Sequence, residues 1–459
     1  MPTAVSARTI EITDPASDEP VGSLVAATDE EAAEGVARAV AAFPAWAATP
    51  PAERGLRLRA AAQALAARAD EVAAMNVRET GKSPGDAKGG VEAAVNTLLQ
   101  YAELGPVHRG KRLRGAWDAI DVATPQPRGV VLALTPWNDP VAVAAGLLGA
   151  AIVSGDTVVH KPSERCPHTG ALLDEVLAAA LPEGVLVHVT GDGATGAALA
   201  ADPRLAVIAH VGSTATGRSL AAAAVPNDVH VIRENGGNDP LVVDADVDPV
   251  WAASQAALGA FANAGQICTS VERVYVHRAV AEPFLAALVA EADAWTERSR
   301  QPLVDRRMRD AVAAQVEDAA AAGATVLTGG RVPDGAGVFY PATVLTDVPE
   351  GVSVLTEETF GPVAPVVVVD DFETGLRLAG ADKYGLAATV LTNDMTHAHR
   401  AAALLPVGTV KVNAVFGGAP GGSAQPRAGS GSGFGYGPEL LDEMTTTTVV
   451  HLGLPGGAA

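Results

Sequence analysis

The sequence predicts an α/β protein in which a parallel, doubly wound sheet is followed by a second α/β lobe. Two observations predict this fold class. From Gly129 onward, short β-branched runs alternate with Ala-rich helical runs at the spacing of βαβ units. The chain also has 459 residues, and single hydrophobic cores stop growing at roughly 250 to 300 residues, so we expect two large lobes.

The N-terminal third is predicted to be helical. Thr28-Asp-Glu-Glu31 is a capping box that precedes an Ala/Val-rich amphipathic run, and the same pattern continues over residues 50–75 and 87–103. Residues 109–127 then alternate basic and apolar side chains. This alternation predicts a projecting hairpin or an edge strand.

Five short apolar runs form the predicted first sheet. They occupy residues 130–135, 157–161, 185–190, 205–211 and 229–234. Ligands of such sheets bind at the carboxyl ends of the strands, so the residues that follow each run are the candidates for chemistry.

The second lobe is predicted from a helix, a cysteine-containing loop and further alternating elements. The helix covers residues 249–263, and the loop around Cys268 follows it. The remaining predicted elements are a strand at 273–276, helices over 279–322, strands at 366–369, 388–392 and 409–412, a Gly/Ser-rich loop at 417–437 and a final strand at 445–454.

Composition excludes several classes of protein. The formal net charge is −21, whereas nucleic-acid binding requires clustered Lys and Arg, so we expect no nucleic-acid partner. We expect no membrane partner, because the sequence shows neither a signal-peptide pattern nor an uninterrupted apolar run of membrane-spanning length. Two cysteines, Cys166 and Cys268, cannot make a disulfide framework, and free thiols predict a cytoplasmic location.

Two glycine-rich turns follow predicted strands. The turn at 191–196 has the formal pattern G-x-G-x-x-G, which is weak evidence in a chain with 48 glycines. The turn at 212–217 opens the next helix and offers backbone N–H groups and two hydroxyls to a pyrophosphate. The sequence leaves open which of them holds a nucleotide, or whether both are only tight turns.

Three other strand ends carry polar groups that a packing role does not explain. They are TPWNDP (135–140), KPSE (161–164) and ENGG (234–237). We expect them to converge on one cleft, since parallel strands end at the same edge of a sheet.

The order of PWN, KPSE, GSTxxG, E-x-G-G, G-Q-x-C (265–268) and E-E-x-F-G-P (357–362) resembles the NAD(P)-dependent aldehyde dehydrogenase superfamily. The resemblance extends from the N-terminal helices to the final strand. It implies an aldehyde dehydrogenase-like fold that forms a homodimer or homotetramer. The implied domains are a Rossmann-type NAD-binding domain (1–108 and 128–236), a catalytic domain (237–430) and oligomerisation strands (109–127 and 440–459).

The resemblance assigns chemistry to three residues. Cys268 is the expected nucleophile, which forms a thiohemiacetal with an aldehyde and then a thioester that is hydrolysed to a carboxylic acid. The Asn138 amide and the Cys268 backbone N–H are the expected oxyanion donors, and Glu234 is the expected general base. The alternatives are a buried inert thiol, a local turn at Asn138 and a strand-end salt bridge at Glu234.

The resemblance also implies a cofactor site and an aldehyde site. Glu164 can accept both ribose hydroxyls and would repel a 2′-phosphate, so NAD is favoured while NADP stays possible. The implied cofactor-binding residues are Trp137, Lys161, Ser163, Glu164, Gly193, Gly212, Ser213, Glu358 and Phe360. The implied substrate-pocket residues are Asp139, Val143, Gly146, Ile267, Thr269 and Phe416.

Two expectations concern ligand choice. We expect a small-molecule aldehyde and a pocket wider and more polar than one for long alkyl or flat aromatic aldehydes, with Asp139 disfavouring an anionic tail. We expect no metal, because the ten histidines are scattered and His397 and His399 face different directions on a predicted helix.

Three departures from the family pattern keep alternatives open. Asn235 stands where Leu is usual, and His210-Val211 stands where Phe-Thr is common. The C-terminal motif is degenerate, with glycines at 421–422 and 433 but no Lys between them. The alternatives are a CoA-acylating aldehyde dehydrogenase, a catalytically weak NAD-binding subunit and a plain reductase that uses the 191–196 turn.

Overall fold

The computed structural model describes residues 8–417 and 425–454. The chain begins with a short hairpin and four helices, in agreement with the helical N-terminal third that the sequence predicts. Thr28 caps the first helix, and Glu31 completes the predicted capping box. These elements are β1 (Thr9–Thr13), β2 (Pro20–Val25), α1 (Asp29–Ala47), α2 (Pro51–Ala67), α3 (Ala69–Thr80) and α4 (Pro84–Leu104).

The next segment forms a hairpin and then the first parallel sheet. The predicted strands at 157–161 and 205–211 match the structure, whereas the strand predicted over 185–190 is shorter. The strands are β3 (Lys111–Leu113), β4 (Ile120–Pro127), β5 (Val130–Leu134), β6 (Thr157–Lys161), β7 (Leu186–His188), β8 (Leu205–Val211) and β9 (His230–Glu234). The helices are α5 (Pro140–Ser154), α6 (Pro167–Ala178), α7 (Gly193–Ala200) and α8 (Thr214–Ala224).

The second lobe is built on a seven-stranded sheet. Its interior strand β10, next to the central β11, was not predicted, although its five residues are all buried, because the run DPLVV is too short to stand out next to the glycine turn. The strands are β10 (Asp239–Val243), β11 (Val271–His277), β12 (Thr325–Thr328), β13 (Thr343–Thr346), β14 (Val363–Val369), β15 (Ala387–Leu391) and β16 (Thr409–Val412). The helices are α9 (Pro249–Phe261), α10 (Arg278–Ser299), α11 (Arg306–Ala321), α12 (Ser353–Thr356), α13 (Phe372–Gly380) and α14 (Met395–Leu404).

The C-terminal segment returns to the first lobe. The degenerate motif at 419–422 lies outside the described residues, but β17 (Gly431–Ser432) pairs antiparallel with β9. The helix α15 (Leu440–Glu443), which the sequence groups with the oligomerisation strands, instead contributes Leu440 and Leu441 to the core of the first lobe. Only β18 (Thr445–Leu452) leaves that lobe, to pair with β4.

The strand order of the first sheet is β17-β9-β8-β5-β6-β7. The chain therefore starts in the middle at β5, proceeds to β7 on one side, and continues with β8 on the other. One face packs on α2 to α6, and the other packs on α1, α7 and α8. In such sheets the ligand crevice lies where the order reverses, outside the carboxyl ends of β5 and β8.

Candidate active site

Cys268 lies in the loop between a 3-10 helix (Ala262–Gly265) and β11, and its side chain is partly exposed. The backbone just before it is left-handed at Asn263 (φ 52°), Ala264 (φ 54°) and Gly265 (φ 74°). A Cβ on Gly265 would lie 2.1 Å from the carbonyl oxygen of Gly361, so only glycine fits there. The E-E-x-F-G-P segment therefore packs directly behind the cysteine loop.

Polar side chains fix the shape of this loop. Gln266 is buried; its Nε2 donates to the carbonyl of Asn263 (3.0 Å), and its Oε1 accepts from the N–H of Val304 (2.9 Å). The Asn138 amide donates to the carbonyl of Gln266 (3.2 Å). The PWN segment thus contacts the cysteine loop. The carbonyl that accepts from the Asn138 amide belongs to Gln266, two residues before Cys268 in the chain.

Glu234 ends β9 and interacts with the Cys268 thiol. Burial raises the pKa of the Glu234 carboxyl, and the hydrogen bond from the Cys268 thiol offsets that rise in part. A Cβ on Gly435 would lie 2.7 Å from Glu234 Oε2, so glycine at this position leaves room for the carboxylate. The pair is therefore a carboxylate with a raised pKa beside a partly exposed thiol.

Further carboxyl groups surround the same loop. Burial raises the pKa of Asp239 to about 8 and that of Glu358 to about 7. Glu358 accepts from the N–H of Gly237 (3.1 Å), in the turn that follows Glu234. Burial and the charges of Glu234 and Asp239 hold the pKa of Cys268 well above its usual value. In this state of the protein Cys268 is a thiol at neutral pH.

In the first glycine turn, protein side chains already occupy backbone N–H groups that a ligand would need. Asp192 caps α7 by accepting from the N–H groups of Ala194 (2.9 Å) and Thr195 (3.1 Å). Arg8 Nη1 then donates to both Asp192 oxygens (2.7 and 2.9 Å). A Cβ on Gly193 would meet nothing within 4 Å, so the turn borders open space, but the N–H groups of Ala194 and Thr195 are already occupied.

The second glycine turn is open. Ser213 caps α8 through the N–H of Thr216 (3.2 Å) and is exposed to solvent. Within the described part of the chain, the N–H groups of Thr214 and Ala215 have no acceptor. The N–H of Gly212 donates to the carbonyl of Glu234 (3.0 Å), so this helix terminus adjoins the thiol site. The geometry favours this turn over the 191–196 turn as a phosphate site.

The second strand end places a cation beside a carboxylate. Lys161 Nζ donates to the carbonyls of Pro162 (2.8 Å) and Gly191 (2.9 Å) and lies 4.0 Å from Glu164 Oε2. Burial lowers the pKa of Lys161, whereas the Glu164 side chain remains 42% exposed. Ser163 is buried at the same bend. This edge thus presents a lysine and an accessible carboxylate toward the α7 side of the sheet.

Aromatic rings connect the PWN and E-E-x-F-G-P segments. The Trp137 and Phe360 rings pack edge to face with centroids 5.6 Å apart. The Arg165 guanidinium lies 5.5 Å from the Trp137 ring centroid, and the buried Cys166 belongs to the same apolar cluster. Burial raises the pKa of Cys166 well above its usual value, which fits a structural thiol.

The predicted substrate-pocket residues lie around the mouth of the cysteine loop and on facing elements. Ile267 and Thr269 flank Cys268 and are partly exposed, as is Val143 on the first turn of α5. A Cβ on Gly146 would lie 3.1 Å from the Tyr436 ring. The Phe416 ring packs against the second-lobe core, beneath the Lys411 ammonium at 5.5 Å.

Asp139 does not present a free negative charge. The Lys82 Nζ, on the loop before α4, donates to Asp139 Oδ1 (2.9 Å) and to the carbonyl of Asn138 (3.1 Å). The Asp139 carboxylate is therefore paired with a cation, and the hypothesis that Asp139 disfavours an anionic tail stays a prediction.

Sequence reasoning missed Lys82, Gln266 and Lys411. Gln266 belongs to the quoted G-Q-x-C motif, so its side-chain role was accessible from sequence. Lys82 carries no local signal, because its contact with Asp139 joins segments 57 residues apart. The hydrogen bond of Lys411 to the carbonyl of Val415 is local, but no motif quoted from the sequence includes Lys411.

The described ranges show neither a metal-binding cluster nor a membrane-spanning helix. Residues 8–417 and 425–454 contain no group of three or more His, Cys, Asp or Glu side chains arranged to hold a metal ion. His397 is engaged instead with Asp244 (2.6 Å). None of the helices in these ranges combines the length and the apolar character that spanning a bilayer requires.

A thiol beside a half-buried carboxylate, in a loop bound by a side-chain amide and next to the switch point of a nucleotide-type sheet, defines a class: a cysteine-dependent, dinucleotide-using enzyme. Comparison with known proteins makes this class specific. The model of the aldehyde dehydrogenase family matches residues 3–450, and the chain belongs to that family. It is thus an NAD(P)-dependent oxidoreductase that oxidises an aldehyde to a carboxylic acid through a cysteine.

Individual relatives cover nearly the whole chain. The α-ketoglutarate semialdehyde dehydrogenase of Haloferax volcanii is 35% identical over 427 residues, which cover 90% of this chain and 88% of that protein. A betaine aldehyde dehydrogenase of Cereibacter sphaeroides is 36% identical over 413 residues, 87% of this chain and 84% of that protein. The structure of betaine aldehyde dehydrogenase from Staphylococcus aureus with NAD⁺ superposes with a TM-score of 0.93 at 26% identity, covering 97% of this chain and 91% of that one.

Proposed function

We propose that Cys268 is the nucleophile of this aldehyde oxidation and that Glu234 and Asn138 assist it. The single observation that carries the proposal is the contact of the Cys268 thiol with a carboxylate whose pKa is raised. The Cys268 sulfur adds to the aldehyde carbon, and its proton leaves toward Glu234. We expect the Asn138 amide, which donates to the carbonyl of Gln266 in the cysteine loop, and the Cys268 backbone N–H to stabilise the oxyanion that forms.

Glu234 acts again in the second half of the reaction. Bound NAD supplies the acceptor for the hydride that leaves the thiohemiacetal, which becomes a thioester on Cys268. Glu234 passes the thiol proton to solvent, accepts a proton from the water that attacks the thioester carbon, and returns that proton to the Cys268 sulfur as the carboxylic acid leaves. Because burial raises the pKa of Glu234 above its usual 4.5, hydrolysis rises with pH through that raised pKa. A base at this position supports transfer to water over transfer to CoA.

The cofactor site we propose lies along the carboxyl edge of the first sheet. The open N-terminus of α8, with Gly212 and Ser213, fits the pyrophosphate, and Lys161 with Ser163 and Glu164 fits the adenosine ribose. The nicotinamide half would lie near Glu358, Trp137 and Phe360. The exposed Glu164 carboxylate supports NAD over NADP, and Gly193 borders the adenosine side.

Residues 128–236 with the N-terminal helices would thus form the NAD-binding domain, and residues 237–430 the catalytic domain. We propose further that the chain is a homodimer or homotetramer. The three-stranded sheet β18-β4-β3 carries exposed apolar side chains, which are Leu113, Trp117, Ile120, Val449, Val450 and Leu452. Trp117 is 95% exposed, and apolar patches of this kind mark interfaces.

Compartment and substrate are proposed on narrower grounds. Both cysteines are unpaired, which supports a reducing, cytoplasmic location. The two named relatives are named for aldehydes of opposite charge. Their names therefore do not indicate whether the substrate of this chain carries an anionic or a cationic tail. The Asp139–Lys82 pair at the pocket supports a polar aldehyde over a long alkyl one.

The proposal is tested by NAD reduction across short polar, aromatic and semialdehyde substrates. We expect Cys268→Ala to abolish turnover and Glu234→Gln to retain an acyl-enzyme burst while losing steady-state hydrolysis. Cys166→Ala is the matched control, since it removes the other, buried thiol, and it should retain turnover. Full turnover in Cys268→Ala would refute the assignment, and NAD binding without any turnover in the parent would favour the catalytically weak subunit.

A further inference from the structure

The first sheet carries three basic side chains in one row at its carboxyl edge. Leu134 of β5 lies in register with Lys161 on one side and with His210 of β8 on the other. His210 lies in register with Arg233 of β9. Registered residues of parallel strands project from the same face, so all three basic side chains lie on the face covered by α7 and α8. His210 stands at the point where the strand order reverses.

His210 is a buried polar group without a partner. His210 is only 6% exposed, and neither ring nitrogen makes a hydrogen bond of normal geometry within the described residues, although the Ser213 backbone is close enough to raise the pKa of the ring in part. Burial lowers the pKa of His210 to about 4, so at neutral pH the ring is uncharged and carries one N–H. Leaving such a group unpaired is unfavourable, which indicates that a ligand completes it.

The His210 ring lies directly against the open turn. A Cβ on Gly212 would lie 2.8 Å from the ring Cε1 and 3.2 Å from Nε2. Gly212 leads into Ser213, the N-cap of α8, whose next two N–H groups have no acceptor within the described chain. Backbone donors and the imidazole therefore border the same position. An anion placed there would pair groups that are otherwise unsatisfied.

We infer that His210 is a further cofactor-binding residue, whose imidazole N–H donates to a phosphate oxygen of the dinucleotide at the N-terminus of α8. This inference rests on the proposed cofactor site. It also gives a role to one departure from the family pattern, since His210 stands where Phe is common. Phe at this position offers no donor, whereas His adds one at the switch point of the sheet.

The test compares His210→Phe with Thr214→Pro in the intact protein. Phe preserves a planar ring and removes the N–H. Pro at Thr214, the first residue of α8, removes one backbone donor at a position where helices accept proline. The dissociation constants of NAD and of adenosine, which has no phosphate, are measured by calorimetry for each variant.

We expect His210→Phe to weaken NAD binding by about tenfold and to leave adenosine binding unchanged, because only NAD carries the phosphate. Parent-like NAD affinity in His210→Phe, together with weakened NAD binding in Thr214→Pro, would overturn the role of His210 and leave the α8 site standing. Equal weakening of NAD binding and adenosine binding in His210→Phe would also overturn the role of His210, because it would indicate a general distortion of the sheet edge. Parent-like NAD affinity in both variants would overturn the α8 site itself.

Discussion

The carboxyl edge of the first sheet and the cysteine loop beside it have opposite electrostatic character. The edge presents the cations of Lys161 and Arg233 in one row with the uncharged His210 ring between them, and open backbone donors at α8. The loop gathers Glu234 and further carboxyl groups around a thiol, all with raised pKa values. The difference separates two tasks: a basic edge suits an anionic cofactor, and a buried acidic pocket suits proton transfer.

The largest expected effect comes from a substitution that disrupts the packing of the cysteine loop against the E-E-x-F-G-P segment. In Gly265→Ala, the new Cβ meets the backbone of Gly361 and Pro362, and alanine must also adopt a left-handed conformation (φ 74°). We expect a loss of more than about 2 kcal/mol in the free energy of unfolding and loss of turnover. Thermal unfolding and NAD reduction measure both.

Gly323→Ala is the matched control for this change. Gly323 also has a positive φ (115°), but a Cβ there meets nothing within 4 Å. We expect it to cost stability from backbone strain alone and to retain turnover. If both variants behaved alike, the tight packing of E-E-x-F-G-P behind the cysteine loop would not be what Gly265 provides.

Much of the arrangement around the cysteine loop was predictable from sequence, because motifs at the carboxyl ends of parallel strands must meet at one edge of the sheet. The structure brings Asn138 and Glu234 to the Cys268 loop from separate motifs, and the bond of Asn138 to Gln266 spans 128 residues. Local patterns also predicted the capping box at Thr28 and the hairpin that ends at Pro127.

The rest depended on contacts that no local pattern encodes. The two glycine turns look alike in sequence, and only the contact of Arg8 with Asp192, 184 residues apart, shows that the first turn is closed. The neutralisation of Asp139 by Lys82 is likewise a tertiary contact. Burial decides the pKa of Glu234, and burial at a strand end is set by the C-terminal segment around Gly435.

A second prediction concerns the charge around the thiol. In Glu234→Gln, one negative charge beside Cys268 is removed, so the pKa of the Cys268 thiol falls toward its usual value. A fall of about one pKa unit raises the thiolate fraction at neutral pH about tenfold. The rate of iodoacetamide alkylation, followed against pH, measures the shift.

The matched control is Glu357→Gln, since Glu357 neighbours Glu358 in sequence but pairs with Lys383 at the surface. We expect its alkylation profile to follow the parent. Cys268→Ser gives the background from Cys166. An unchanged profile in Glu234→Gln would show that burial alone holds the Cys268 pKa high.

A third prediction probes the cation at the pocket. In Asp139→Ala, the Lys82 ammonium loses its carboxylate partner at the predicted substrate pocket. We expect kcat/KM for a carboxylate-tailed aldehyde to rise by roughly threefold relative to a neutral one, as for a partly exposed charge pair of about 0.7 kcal/mol. Asp139→Asn keeps the size and removes the charge, and it should give the same ranking. An unchanged ranking in both variants would place the Asp139–Lys82 pair outside the substrate path.

The smallest expected effect separates the two helix termini at the basic edge. Asp192→Ala removes the cap of α7 and the partner of Arg8, so we expect a loss of about 1 kcal/mol in the free energy of unfolding. In the parent, Asp192 occupies N–H groups of the α7 turn, so these groups do not bind the cofactor, and NAD affinity should stay at the parent value in Asp192→Ala, in contrast to Thr214→Pro at α8. Chemical denaturation and NAD titration of the same samples measure the two quantities. A marked loss of NAD affinity in Asp192→Ala would mean that the 191–196 turn, as well as α8, holds the cofactor.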